Sequence, residues 1–286
     1  MGINQVEQEG AMKKIMRYQP HSISDLSSFI AAIRPGFKSM YNIFESRQPF
    51  SYNIPSIDNI IQTKESPYSF ILYQENIMQI LSYAGIPMDN TYEIVKAISK
   101  KKKEKILKHK DHFMEGFAKR LIEEEHQTQE SARNIADRVW QIIEDSSSYN
   151  FNASHSYSMA FDSLYGAYLK AHHPLEFYEV FLNLLMERGE KDRSLKTREE
   201  MRKAFGIEIV PFKFRQDNRK FSVIDDHSIS DCLSNIKGFG DNVAEELYKL
   251  KDKQYKSFID LLDDITNNTT VNKTQIENLI VLHYFD

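Results

Sequence analysis

Apolar residues recur at helical spacing through most of the first 205 positions, and at Gly206 the pattern switches to short β-branched alternation. No other feature limits the fold as much. A repeat of three to four residues marks the buried stripe of a helix, whereas a repeat of two marks one face of a strand. After a capping-box-like start over residues 22–25, with Asp25 in place of the usual Glu, Leu26, Phe29, Ile30 and Ile33 fall on one helical face. Arg34, Pro35 and Gly36 stop that helix, because proline disfavours helical backbone in the residue before it. A second helix is expected over residues 74–84, burying Ile77, Ile80 and Leu81, with Gly85 and Pro87 as its stop. Asp89 or Asn90 is expected to cap a third, which leads through Val95 and Ile98 into a run of lysines. Further helices are expected near residues 105–125, 130–145, 156–172 and 174–188, joined by short polar turns.

Beyond Gly206, residues 207–210 and 220–224 read as short strands around a turn at Asp217 and Asn218. Residues 236–240 then open a helix over 241–249, and a final helix over 273–283 carries Ile276, Leu279 and Ile280 on one face. The expected fold is mainly α, with a helical domain over residues 1–205. A smaller module with short strands follows over residues 206–286.

The chain has 286 residues, of which 41% are hydrophobic and 12% aromatic, so it can bury a core and is not a disordered segment. Its single cysteine, Cys232, excludes a disulfide framework and a zinc site built on cysteine pairs. No run of eighteen apolar residues is present, and residues 1–17 lack the apolar stretch of a signal peptide. These features imply a soluble protein of a reducing compartment, cytoplasmic, with no membrane partner.

Net charge is −4, but it is unevenly spread. Between Lys96 and Lys110 eight lysines face one acid, Glu104, so that window carries about +7 and the remainder about −11. The run is either a solvated helix face or a localised site for anions, phosphate above all. No pair of histidines at helical spacing has a third ligand nearby, and His172 and His173 are adjacent, which points their rings apart on a helix. Neither a phosphate-cradling P-loop, nor a dinucleotide fingerprint, nor a nucleophile elbow occurs.

Three places can still carry binding chemistry. Lys237, Gly238, Phe239, Gly240 and Asp241 put an apolar residue between two glycines at a helix start. That is either a tight turn or a nest of backbone N–H groups for a DNA phosphate. Residues 149–157 gather Tyr149, Asn152, Ser154 and His155, a mixture suited to stacking a base and donating to phosphate, or to a polar loop before a helix. Arg34 is either a cation at a helix C-terminus or an anion contact.

Taken together, and in order, these segments resemble the bacterial C-family replicative DNA polymerase, the alpha subunit of DNA polymerase III. Gly2 to Gln5 with Glu7 and Gly10 is similar to the family's G-[VI]-F-Q-x-E segment. Ile33 to Gly36, Tyr73 to Glu75 with Met78 and Gln79, the basic turn at Ser99 to Lys103, and Asp111 to Gly116 follow collinearly. Tyr149 to His155 resembles Y-G-F-N-K-S-H, and Tyr168 to Pro174 resembles Y-L-K-A-H-Y-P. Gly206 to Pro211, Lys237 to Gly240, and Asn272 and Lys273 through to Phe285 and Asp286 complete the series.

The resemblance implies a fingers domain followed by a tandem helix-hairpin-helix module that grips duplex DNA. It makes Arg34, Lys96, Tyr149, Asn152, Ser154 and His155 candidates for the incoming deoxynucleotide. By the same carry-over Lys100, Lys101, Lys102, Lys237, Gly238 and Gly240 are candidates for DNA. The chain departs from the family at several points. Val95 and Lys96 replace a double arginine, Asn150 and Ala153 replace a glycine and a lysine, and residues 282–286 replace A-G-A-F-D, losing the second hairpin's glycine.

The family's metal-binding aspartates lie in the palm, upstream of the segment that contains Gly2. The chain is therefore expected to bind no cofactor alone, Mg²⁺ entering only with a palm, and to be inactive by itself. Its implied partners are DNA, an incoming deoxynucleotide, and a palm-containing polymerase chain or another replisome protein. Two roles follow: a nucleotide- and DNA-binding part of a replicative polymerase, or a free-standing non-catalytic fragment or mimic that binds DNA, the replisome or another protein.

Overall fold

A computed structural model of the chain describes residues 1–63, 70–100, 103–146 and 150–286, with the side chains of 35 and 103–108 left aside. Among these residues lie fourteen α-helices and one three-stranded sheet, so the fold is mainly α. In chain order the helices begin with α1 (Glu9–Tyr18), α2 (Ile23–Ala32), α3 (Lys38–Glu45), α4 (Pro55–Ile61) and α5 (Gln74–Tyr83). They continue with α6 (Met88–Ser99), α7 (Lys103–Glu125), α8 (Gln129–Ser146), α9 (Ala153–His172), α10 (Pro174–Glu187) and α11 (Lys191–Phe205). Strands β1 (Glu208–Val210), β2 (Ser222–Asp225) and β3 (Ser228–Ser230) precede α12 (Asp241–Lys249), α13 (Phe258–Asn268) and α14 (Lys273–Val281).

Two compact units divide the chain: residues 3–165, and residues 166–286 together with Met1 and Gly2. In the first unit, α4 to α8 close around Ile57, Ile77, Ile80, Phe113, Phe117, Leu121 and Trp140. A second core in the same unit joins α1 to α3 with Phe70, Leu72 and Ala160 of α9. The local signals explain the elements. Ser22 accepts the Asp25 N–H at 3.0 Å, capping α2, whose Leu26, Phe29 and Ile30 are buried. The Asp25 carboxylate returns a bond to His21 N–H rather than to the cap residue itself, at 3.1 Å. Neither Asp89 nor Asn90 caps α6. Pro87 holds that position, since its fixed φ suits the residue before a first turn, and Asp89 falls inside the turn, where its charge meets the positive end of the helix dipole.

In the second unit, Tyr178, Leu182 and Met201 of α10 and α11 pack on Ile207, Phe221 and Ile229 around the sheet. The two strands expected from the sequence do not pair with each other. β3 lies between them, parallel to β1 through Ile209 and Ile229 and antiparallel to β2 through Val223 and Ile229. The expected turn is a structured loop instead. The buried Asn218 donates its amide to the Lys213 and Gln216 carbonyls at 2.8 and 3.0 Å. Leu233, Phe239, Val243, Leu247, Leu261, Ile265, Leu279 and Tyr284 form the core of α12 to α14. Leu279 is fully buried, but Ile280, expected on the same face, is 44% exposed.

Candidate nucleic-acid interface

Within the first unit the structure brings Arg34 to the start of α9. Phe151 pairs with Tyr73 in an isolated parallel bridge, its N–H donating to Leu72 O and its carbonyl accepting from Gln74 N–H, both at 2.9 Å. This places the Phe151 ring beneath Arg34, whose guanidinium carbon lies 3.6 Å from the ring centroid. His155 meets the same ring edge-on at 5.1 Å. The guanidinium is partly buried and its Nε has no hydrogen-bond partner. Among the described residues no carboxylate pairs with it, and burial lowers its pKa below the usual arginine value. A stacked cation with no carboxylate partner among the described residues has its charge available to an anion.

The neighbouring polar residues are largely committed to structure. Asn152 caps α9: its Oδ1 accepts the His155 N–H at 2.9 Å and the Ser154 hydroxyl at 2.7 Å. Its amide donates to Glu75 Oε1 at 3.0 Å, and Ala153 N–H donates to the other Glu75 oxygen at 2.9 Å. A carboxylate thus already sits on the positive end of α9. Free capacity at this site lies with the Arg34 guanidinium and the exposed His155 ring. Phe151 as platform and Glu75 as clamp went unnamed as site residues. Phe151 lies inside the singled-out block, but Glu75 reaches Asn152 across 77 residues of sequence, which no local pattern encodes.

Lys96 and Lys100 occupy a different element. Lys96 lies in the last turn of α6 and Lys100 is its C-cap; both are exposed, where cations favour the negative end of the dipole. Val95, at the first of the two family arginine positions, points into the core with 1% exposure, so that site cannot present a cation to a ligand. Lys101, Lys102 and Tyr149 lie outside the described residues. Farther along the run, Lys110 pairs with Asp137 at 3.1 Å.

In the second unit, residues 236–239 form a tight turn, with Phe239 N–H donating to the Ile236 carbonyl at 3.1 Å. Gly238 takes φ +93° at its third position, the pattern of a type II turn. Gly240 is the N-cap of α12 with φ −98°, and a Cβ there would meet nothing within 4 Å. Lys237, Gly238 and Gly240 are exposed, while Phe239 between them is buried in the α12–α14 core. Gln275 of α14 donates to the Gly238 carbonyl at 2.8 Å and so ties the turn to the last helix. At the end of α14, Tyr284 N–H reaches Leu279 O and His283 N–H reaches Ile280 O, both at 3.0 Å, a Schellman motif. Its left-handed position is His283, at φ +57°.

Among the described residues no group of three His, Cys, Asp or Glu is arranged to hold a metal ion, and no helix is long and apolar enough to cross a membrane.

Residues 1–121 match the bacterial DNA polymerase III alpha subunit finger domain, and residues 206–286 match a helix-hairpin-helix motif. The chain is 32% identical to DNA polymerase III subunit alpha of Aquifex aeolicus, aligning over 100% of its own length and 24% of the relative's. It is 30% identical to the Bacillus subtilis subunit, over 98% of the chain and 24% of that protein. The Escherichia coli K12 subunit is also 30% identical, over 99% of the chain and 24% of its own length. The chain thus spans about a quarter of the length of the curated relatives it matches, and it is homologous to the bacterial DNA polymerase III alpha subunit over the stretch that holds the finger domain and a helix-hairpin-helix motif.

Proposed function

We propose that this chain serves as the nucleotide- and DNA-contacting part of a DNA polymerase III alpha-like replicative polymerase. The observation that carries the reading is Arg34: a partly buried guanidinium with no carboxylate partner among the described residues, stacked on Phe151 beside the exposed His155 ring. Phosphoryl transfer spreads negative charge over the incoming triphosphate, and a preorganised cation beside an aromatic platform suits that load. Lys96, Asn152, Ser154, His155 and Tyr149 are proposed as its surroundings, with Asn152 and Ser154 acting by holding the α9 start in place. The turn at Lys237, Gly238 and Gly240 is proposed to take a backbone phosphate of duplex DNA, with Lys100, Lys101 and Lys102 as further backbone contacts. Residues 206–286 act in this reading as the DNA-gripping module and residues 1–205 as the fingers. Mg²⁺ enters with the palm carboxylates of a complete polymerase, and the protein works where the chromosome is copied, in the cytoplasm.

The departures at Val95, Asn150, Ala153 and His283 favour a second reading, a non-catalytic relative that keeps DNA or replisome binding alone. Titration of a labelled deoxynucleoside triphosphate separates the two, with the parent chain compared with Arg34→Ala and Arg34→Lys. The first reading expects saturable binding, weakened roughly tenfold or more in Arg34→Ala and only partly restored in Arg34→Lys, because lysine lacks the planar fork that stacks and pairs. Absence of triphosphate binding by the parent supports the second.

A further inference from the structure

Two helix N-termini meet at one carboxylate. Glu75 lies in the first turn of α5, and its two oxygens accept from the start of α9: the Asn152 amide at 3.0 Å and the Ala153 N–H at 2.9 Å. An anion there faces the positive ends of both helix dipoles. The same stretch of chain holds the other side of the site. The Tyr73 hydroxyl hydrogen-bonds Ser27 Oγ of α2 at 2.9 Å, and α2 ends two residues before Arg34. Residues 73–75 therefore clip the helix that leads to Arg34 onto the segment that carries Phe151. The backbone bridge between Tyr73 and Phe151 is isolated, with no neighbouring ladder to stiffen it, so the orientation of the Phe151 segment falls to the side-chain clamp at Glu75.

We propose that Glu75 is a positioning residue for triphosphate binding: by fixing the start of α9 it holds the Phe151 ring beneath the Arg34 guanidinium, at the 3.6 Å that keeps this cation stacked and oriented. The inference rests on the reading of Arg34 given above. Glu75 is no counter-ion to Arg34, because burial lowers that arginine's pKa, whereas a carboxylate in contact would raise it. Its effect is therefore geometric. At the clamp two acceptor oxygens face two donors. Glutamine offers one acceptor and one amide donor, so Glu75→Gln sets a donor against a donor. Asn152→Asp alone sets two carboxylates against each other across the 3.0 Å contact. Together the two substitutions invert the contact. The introduced glutamine donates to the introduced carboxylate, its oxygen still accepts the Ala153 N–H, and one negative charge stays between the helix ends.

The test titrates fluorescently labelled dATP into the full 286-residue chain and into Glu75→Gln, Asn152→Asp and the double variant, with circular dichroism establishing that each is folded at the titration temperature. Expected is a dissociation constant roughly fivefold or more higher in each single variant, and within about twofold of the parent in the double variant. The titration is repeated on an Arg34→Ala background, a readout that a merely structural role would not move. There Glu75→Gln should change the affinity less than about twofold, because the ring has no cation left to hold. With the parent binding, three results overturn the inference: Glu75→Gln binds as the parent does, the double variant fails to recover, or Glu75→Gln costs as much on Arg34→Ala as on the parent. A parent that takes up no triphosphate instead overturns the reading of Arg34 itself, so the two failures are told apart.

Discussion

A Cβ on Gly116 would lie 1.8 Å from the carbonyl oxygen of Ala84, so α7 crosses the end of α5 at backbone contact. Only glycine permits that approach, because the obstacle is main chain and cannot rotate away. Gly116→Ala is expected to cost about 3 kcal/mol or more, at the upper end of overpacking penalties. Urea unfolding of parent and variant measures it. A difference below about 1 kcal/mol would mean that α5 and α7 slide apart easily.

The second prediction concerns His283, which holds the left-handed position of the Schellman motif after α14. A side chain there costs on the order of 1–2 kcal/mol in backbone strain, and glycine relieves it while losing about 1 kcal/mol through a freer unfolded chain. The exposed hydrogen bond between His283 Nδ1 and the Asp286 carboxylate at 2.7 Å adds little. His283→Gly is therefore expected to raise the thermal midpoint slightly, and His283→Val to lower it. A reversed order in differential scanning calorimetry would contradict the strain assignment.

Acid sensitivity should arise in part at Asp264. The Tyr255 hydroxyl, Lys253 and Asn268 all donate to its carboxylate, at 2.6, 2.9 and 2.7 Å, and hold its pKa at about 2. The unfolded carboxyl titrates near 3.9, so its contribution is complete above about pH 4 and is lost as pH falls through 2. Parent and Asp264→Asn are expected to differ in urea midpoint at pH 6 and to converge as pH approaches 2. A gap that stays constant over that range would show that the carboxylate's charge plays no part.

Much of this was legible in the sequence where a pattern was strong and local. The helix after Gly240 spans Asp241–Lys249 as the glycine start and the apolar spacing indicate, and Ser22 caps α2. Strand β3 escaped because a three-residue run, Ser228 to Ser230, has only Ile229 to mark a period. Helix α11 is charged nearly all round and buries only Thr197 and Met201, so no apolar stripe announces it. At the site, the residues around Arg34 and Phe151 stood out by chemistry, but their pairing depends on the bridge between Tyr73 and Phe151, a contact across 78 residues that spacing alone does not encode. Of the two glycines flanking Phe239, Gly238 takes positive φ, since the turn's third position needs it, and Gly240 does not.

That distinction makes the central claim testable at one atom. Gly240 has ordinary φ and open space around its missing Cβ, so Gly240→Val should leave the module folded while blocking close approach of a phosphate to the α12 start. The decisive measurement is the dissociation constant for duplex DNA between 50 and about 200 mM salt, for the parent and Gly240→Val, on two unrelated sequences. The account predicts parent binding that weakens steeply with salt, and a variant at least fivefold weaker on both sequences with an unchanged melt. A parent that does not bind duplex, or a well-folded variant that binds as tightly, would contradict it.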